Sequence, residues 1–190
     1  MKCNERGLGI VLGLALVALL LSASESLAKA ITLKSSGTGT FVTANFSYDG
    51  VNPASYNTGS GKDNLGGQFT FQEVNEFGAA TATTCTAPDG TAGLQYNLVA
   101  SNGVATYNTG QVYSSAVASS SNHSCISNTT GSIGGTVTHT VDGGTGKFAA
   151  AAGTSTATVT GNILAAPGTP PGAGGLFGAF KFTSTGSVTK

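Results

Sequence analysis

From Ile31 onward the chain alternates apolar and small polar residues again and again, and no stretch keeps a 3.6-residue apolar period. Period-two alternation sends successive side chains to opposite faces of a strand, so each such run predicts a strand with one buried face. In 41–48, Val42, Ala44, Phe46 and Tyr48 share a face. Phe69 and Phe71 alternate with Thr70 and Gln72, and Glu73 continues their face. Leu94, Tyr96, Leu98 and Ala100 share a face, as do Val137, His139 and Val141. Ala157 with Val159 and Phe180 with Phe182 complete the pattern. Turn signals separate the runs: Asp49-Gly50, Asn64-Leu65-Gly66-Gly67, Pro88-Asp89-Gly90, Ser101-Asn102-Gly103, Asn108-Thr109-Gly110 and Asp142-Gly143-Gly144. The tetrapeptide Tyr-Asn-Thr-Gly, at 56–59 and 107–110, fits recurring turn chemistry, and the Pro/Gly-rich 167–175 predicts a long loop before the last strand. About eight or nine short strands predict an all-β fold: a closed antiparallel barrel of about eight strands, with a two-sheet sandwich as the alternative. Closure suits this chain because Thr-rich strands with few charges make hazardous exposed edges.

Residues 1–30 are of another kind. Lys2 and Arg6 outweigh Glu5, residues 7–24 carry no charge, and 10–21 are nearly all Leu, Val, Ala and Ile. A polar stretch ending Ala28-Lys29-Ala30 follows. This tripartite order predicts a signal peptide cleaved before Ile31, or alternatively before Lys29, and a secreted or periplasmic location. Retention as a membrane anchor is the other reading. The apolar part, however, falls short of the roughly 20 residues a spanning helix needs, and it contains Gly9 and Gly13. Cys3 lies before the apolar run, where it cannot serve as a lipoprotein anchor. Residues 31–190 form a single domain on this reading, with no membrane span after cleavage.

Cleavage changes the chemistry that remains. It removes Arg6, the only arginine, and leaves five lysines against six acids. Nucleic-acid partners need clustered cations, so that class is excluded, and so is docking on an anionic membrane. The chain is 39% apolar, which argues against disorder. Cleavage also removes Cys3 and leaves the pair Cys85 and Cys125. In an oxidising compartment a disulfide is the expectation, with two free thiols or a metal pair as alternatives. Neither His123 nor His139 sits at a zinc-finger spacing, and neither a metal nor a cofactor is expected.

Two residues are weak catalytic candidates. Glu73 continues a phenylalanine face and is a candidate acid or base inside a cavity; the alternative is solvent, as expected for Glu76. His139 lies on a valine face and is a candidate general base or a satisfied core histidine. Tyr48, Tyr96 and Tyr113 are candidates to line a ligand site, whereas His123, in the polar run 119–124, is expected at the surface. No nucleophile elbow or phosphate loop is present in the sequence. Asp89 and Asp142 stand in turns, where Asp is expected for structural reasons. Three Asn-x-Ser/Thr sites, at Asn45, Asn122 and Asn128, arise readily by chance in a Ser/Thr-rich chain.

The stretch 141–153, Val-Asp-Gly-Gly-Thr-Gly-Lys-Phe-Ala-Ala-Ala-Ala-Gly, resembles the hallmark hairpin of the allene oxide cyclase barrel group, which includes plant dirigent proteins. The chain is also similar to secreted bacterial proteins of this barrel type. Those share a Cys followed by Pro-Asp-Gly (85–90 here) and a second Cys upstream of the Gly-Gly-Thr-Gly turn (Cys125 here). The resemblance implies an eight-stranded antiparallel barrel with a central cavity, in which Phe148 plugs the core. Cavities of that group use acidic, Arg and Tyr groups, and no Arg follows residue 6 here. Three functions are therefore carried forward. The first is binding of a small apolar or amphipathic ligand, or a glycan. The second is a structural or surface-interaction role in the envelope. The third is isomerase or coupling chemistry of the allene oxide cyclase or dirigent type.

Overall fold

The computed structural model describes residues 29–43, 50–52, 54–164 and 177–190. Residues 1–28 of the expected signal peptide, Tyr48 and the expected loop 167–175 lie outside the described residues. Nine strands are described: β1 (Ile31–Thr43), β2 (Ala54–Asp63), β3 (Gly67–Thr86), β4 (Ala92–Tyr107), β5 (Gly110–Val117), β6 (His123–Ser127), β7 (Ser132–Gly144), β8 (Ala152–Leu164) and β9 (Phe177–Thr189). A single 3-10 turn, Gly146–Phe148, joins β7 to β8.

The strands form one antiparallel sheet closed on itself. Each strand pairs with the next around the ring, and β1 pairs with β9 from Ile31↔Val188 to Val42↔Phe177. β5 and β6 share one of the eight positions: both run antiparallel between β4 and β7, one pairing with 100–107 of β4 and the other with 93–97. The break between them is held by Asn122, which is buried. Its Nδ2 donates to the Val117 carbonyl (3.0 Å), its Oδ1 accepts from the Thr138 N–H (2.9 Å), and its own carbonyl accepts from Leu98 N–H (2.9 Å). An apparent glycosylation site is thus a structural rivet.

One end of the ring is filled. Leu33, Leu65, Phe69, Tyr107, Val141 and Phe148 pack there, and Phe148 is completely buried. Tyr107 O–H donates to Asp63, whose other oxygen accepts from the N–H groups of Leu65 (2.9 Å) and Gly66 (2.8 Å) and shapes the β2–β3 turn. A smaller cluster of Leu98, Ala116 and Val137 lies further along, packed against Phe77. Outside, the ring presents rows of hydroxyls in register, such as Thr138↔Thr156↔Thr185 and Thr136↔Thr158↔Thr183. These rows meet water in a chain that has few charges to do so.

Several sequence expectations are corrected. The first strand starts at Ile31 rather than Phe41, and Phe41 faces inward while Val42 is exposed. The tripeptide Ser101-Asn102-Gly103 is not a turn but the middle of β4. A register shift between Ala100 and Leu98 resets the alternation, so Tyr96 and Leu98 face inward on one side of it and Ser101 and Gly103 on the other. The first Tyr-Asn-Thr-Gly lies inside β2, and only the second is a turn. Glu76, expected in solvent, is fully buried beside its register partner Ala54.

Candidate functional site

The interior beyond the filled end is a cavity of about 640 Å³. Its apolar wall comes from inward positions of β1, β3 and β9: Phe41, Phe69, Phe71, Phe180 and Phe182. Their rings form a continuous chain, with centroids 6.5 Å apart for Phe41–Phe180, 6.1 Å for Phe71–Phe180, 5.5 Å for Phe71–Phe182 and 6.5 Å for Phe69–Phe71. Four of the rings, Phe69, Phe71, Phe180 and Phe182, are seated on glycines paired across β1 and β2, Gly37↔Gly61 and Gly39↔Gly59. A Cβ at Gly39 would stand 2.7 Å from Phe180 and 2.9 Å from Phe71, and one at Gly61 would stand 2.8 Å from Phe69.

A polar cluster occupies another part of the wall. Glu73 follows Phe69 and Phe71 on the inward face of β3, the first of the two placements its spacing left open. Asn57 is its direct register partner on β2 and donates from Nδ2 to Oε2 (3.1 Å). Asn75, the next inward residue on β3, donates to the same oxygen (3.0 Å). Ser101 donates from Oγ to Oε1 (3.1 Å). His139 comes from β7, which is not a neighbour of β3 in the ring, and its Nε2 lies 2.8 Å from Oε1. This contact therefore crosses the interior. The side chains of His139 and Glu73 keep 14% and 18% exposure, and both line the cavity.

Burial by itself would push the Glu73 carboxyl upward. Hydrogen bonding and charge from His139, with the amides of Asn57 and Asn75, outweigh it and hold the group at about 2, below its ordinary 4.5. An ionised carboxylate only accepts, so His139 carries a proton on Nε2. In the neutral ring Nδ1 is then the basic nitrogen. Tyr107 is displaced the other way: burial and the Asp63 carboxylate raise its pKa far above the usual phenol value.

The remaining candidates are divided. Tyr96 lines the cavity, whereas Tyr113 points outward, is 40% exposed and donates to Gln111 Oε1 (3.0 Å). Tyr113 is therefore no lining residue, because β5 alternation sends Val112 and Ser114 inward instead. His123, expected at the surface, belongs to β6 and lines the cavity. Two buried polar atoms there have no hydrogen-bond partner, Asn75 Oδ1 and His123 Nδ1. Among the described residues no group of three or more His, Cys, Asp or Glu is placed to hold a metal. Asn57, Asn75 and Ser101 are the site residues that sequence reasoning missed. Extending the Phe69-Phe71-Glu73 alternation by one step would have found Asn75, but the turn-like context of Asn57 and Ser101 concealed both.

Cys85, near the end of β3, and Cys125, in β6, form the expected disulfide, with Cα atoms 6.0 Å apart. They flank β4 on opposite sides, Cys85 paired with Gly93 and Cys125 with Gln95, and a Cβ at Gly93 would lie 3.2 Å from the Cys125 sulfur. No described helix is long and apolar enough to cross a membrane. No family model, curated protein or solved structure matches this chain.

Proposed function

We propose that this protein is an exported binding module for a small amphipathic ligand, held inside the ring. The observation that carries the reading is the cavity: about 640 Å³, walled by phenylalanines and holding a compact polar cluster. Ligand sites typically measure roughly 300–1,000 Å³ and combine an apolar lining with a few placed polar groups. A purely structural role would favour a filled interior. Export is supported by the N-terminal pattern and by the disulfide. Kinship with the allene oxide cyclase barrel group belongs to the same proposal and rests on the hairpin at 141–153 and the closed ring.

The test is binding of N-phenyl-1-naphthylamine, an apolar fluorophore that brightens when it leaves water. The expected result is saturable one-to-one binding. Ala157 lines the cavity, and Ala157→Trp fills it, so this variant should lose at least about tenfold in affinity while keeping its far-ultraviolet spectrum. No binding by the wild-type protein overturns the reading.

The Glu73–His139 pair favours a second reading, an isomerase-type enzyme in which His139 moves a proton. Solvent deuterium entering carbon positions of a bound ligand, with wild-type protein but not with His139→Gln, supports it. No exchange with wild-type protein rejects it for that ligand.

A further inference from the structure

Asn75 tells more about the ligand than the cavity's shape does. It is 7% exposed, and its side chain lines the cavity. Its Nδ2 donates to Glu73 Oε2 at 3.0 Å. That contact fixes which way the amide faces, because turning it over would set Oδ1 against a carboxylate oxygen. Oδ1 is thereby directed away from Glu73, and nothing in the protein donates to it. A buried acceptor without a donor is costly, and a ligand that supplies the donor removes the cost. Glu73 does not compete for that donor, since its two oxygens already accept from His139, Ser101, Asn57 and Asn75.

We propose that the cavity selects a neutral amphipathic ligand whose head donates a hydrogen bond, in the simplest case an alcohol, with Asn75 Oδ1 as the acceptor, and that it rejects carboxylates. The inference rests on the ligand-binding reading above and specifies its chemistry. A carboxylate head at Asn75 would face an acceptor with an acceptor. It would also sit one amide group away from the Glu73 charge, inside a wall that screens little. An ether of the same length fits the phenylalanine wall equally well but donates nothing.

The experiment compares 1-decanol, decyl methyl ether and decanoate, each displacing N-phenyl-1-naphthylamine at pH 7. The expected order is decanol tighter than the ether by about tenfold, the worth of one buried hydrogen bond, with decanoate failing to displace. Asn75→Leu removes the acceptor and should bring decanol and ether to equal affinity. Should that variant not fold, the wild-type order decides alone. Equal binding of decanol and ether, or preference for decanoate, overturns this inference and leaves the ligand-binding reading standing. If neither the fluorophore nor any of the three binds, both fall.

Discussion

Glu73 is partly buried where side chains from four strands meet, and it is stabilised as an anion by four donors. Its pKa of about 2 when folded, against an ordinary 4.5, links it to acid stability. A carboxyl that ionises more readily in the folded state contributes stability that is complete above the unfolded value and is lost as pH falls through the folded one. The window is therefore pH 4.5 down to 2, and the loss should reach up to about 3 kcal/mol. Urea unfolding at a series of pH values should show this loss in the wild-type protein. Glu73→Gln should be less stable at pH 7 and lose that much less on acidification; parallel pH profiles for the two proteins would contradict it. At this scale the sequence was partly legible. Alternation placed His139 on an inward face and left Glu73 between cavity and solvent, and nothing in local spacing joined them, because the two residues lie 66 apart in the chain.

At the scale of the element, the apolar wall depends on residues without side chains. Gly37, Gly39, Gly59 and Gly61 make a flat floor across β1 and β2, and four phenylalanine rings from β3 and β9 lie on it. Gly39→Ala places a methyl group 2.7 Å from both the Phe180 ring and the Thr58 carbonyl. The backbone cannot yield without breaking the β1–β2 ladder, so a destabilisation of about 1–3 kcal/mol is expected, measured by thermal unfolding. An unchanged melting temperature would show that the rings re-seat freely. Strands rich in inward aromatics, such as β3 and β9, were evident from alternation. Those with inward Gly and Ser were not: Gly37-Thr38-Gly39 hid the start of β1, and Ser101-Asn102-Gly103 imitated a turn. Glycine on an inward face and glycine in a turn look alike until the opposing ring is known.

At the scale of the whole molecule, closure joins the first strand to the last, so the sheet has no free edge at β1 or β9. The Cys85–Cys125 bridge adds a cross-link spanning 40 residues at the far end of β3, where the β3–β4 register shifts repeatedly. The chain-entropy relation puts the contribution of such a loop at about 4 kcal/mol. Reduction, or the double variant Cys85→Ala/Cys125→Ala, should lower unfolding stability by an amount approaching that figure, read from denaturant titrations. An unchanged denaturation midpoint would mean that the ladders alone hold this region.

By itself the sequence determined the strand-rich fold class and the inward direction of Phe69, Phe71, His139, Phe180 and Phe182, and it gave the expectation of a Cys85–Cys125 disulfide. Each of these follows from local rules, namely a period of two, an even cysteine count and turn chemistry at the strand ends. Tertiary structure alone decided that β5 and β6 share one position, that four glycines seat four phenylalanines, and that Glu73 meets His139 across the interior with Asn75 Oδ1 left without a donor. These depend on which strand faces which once the sheet closes, and that relation is carried by long-range register rather than by neighbouring residues.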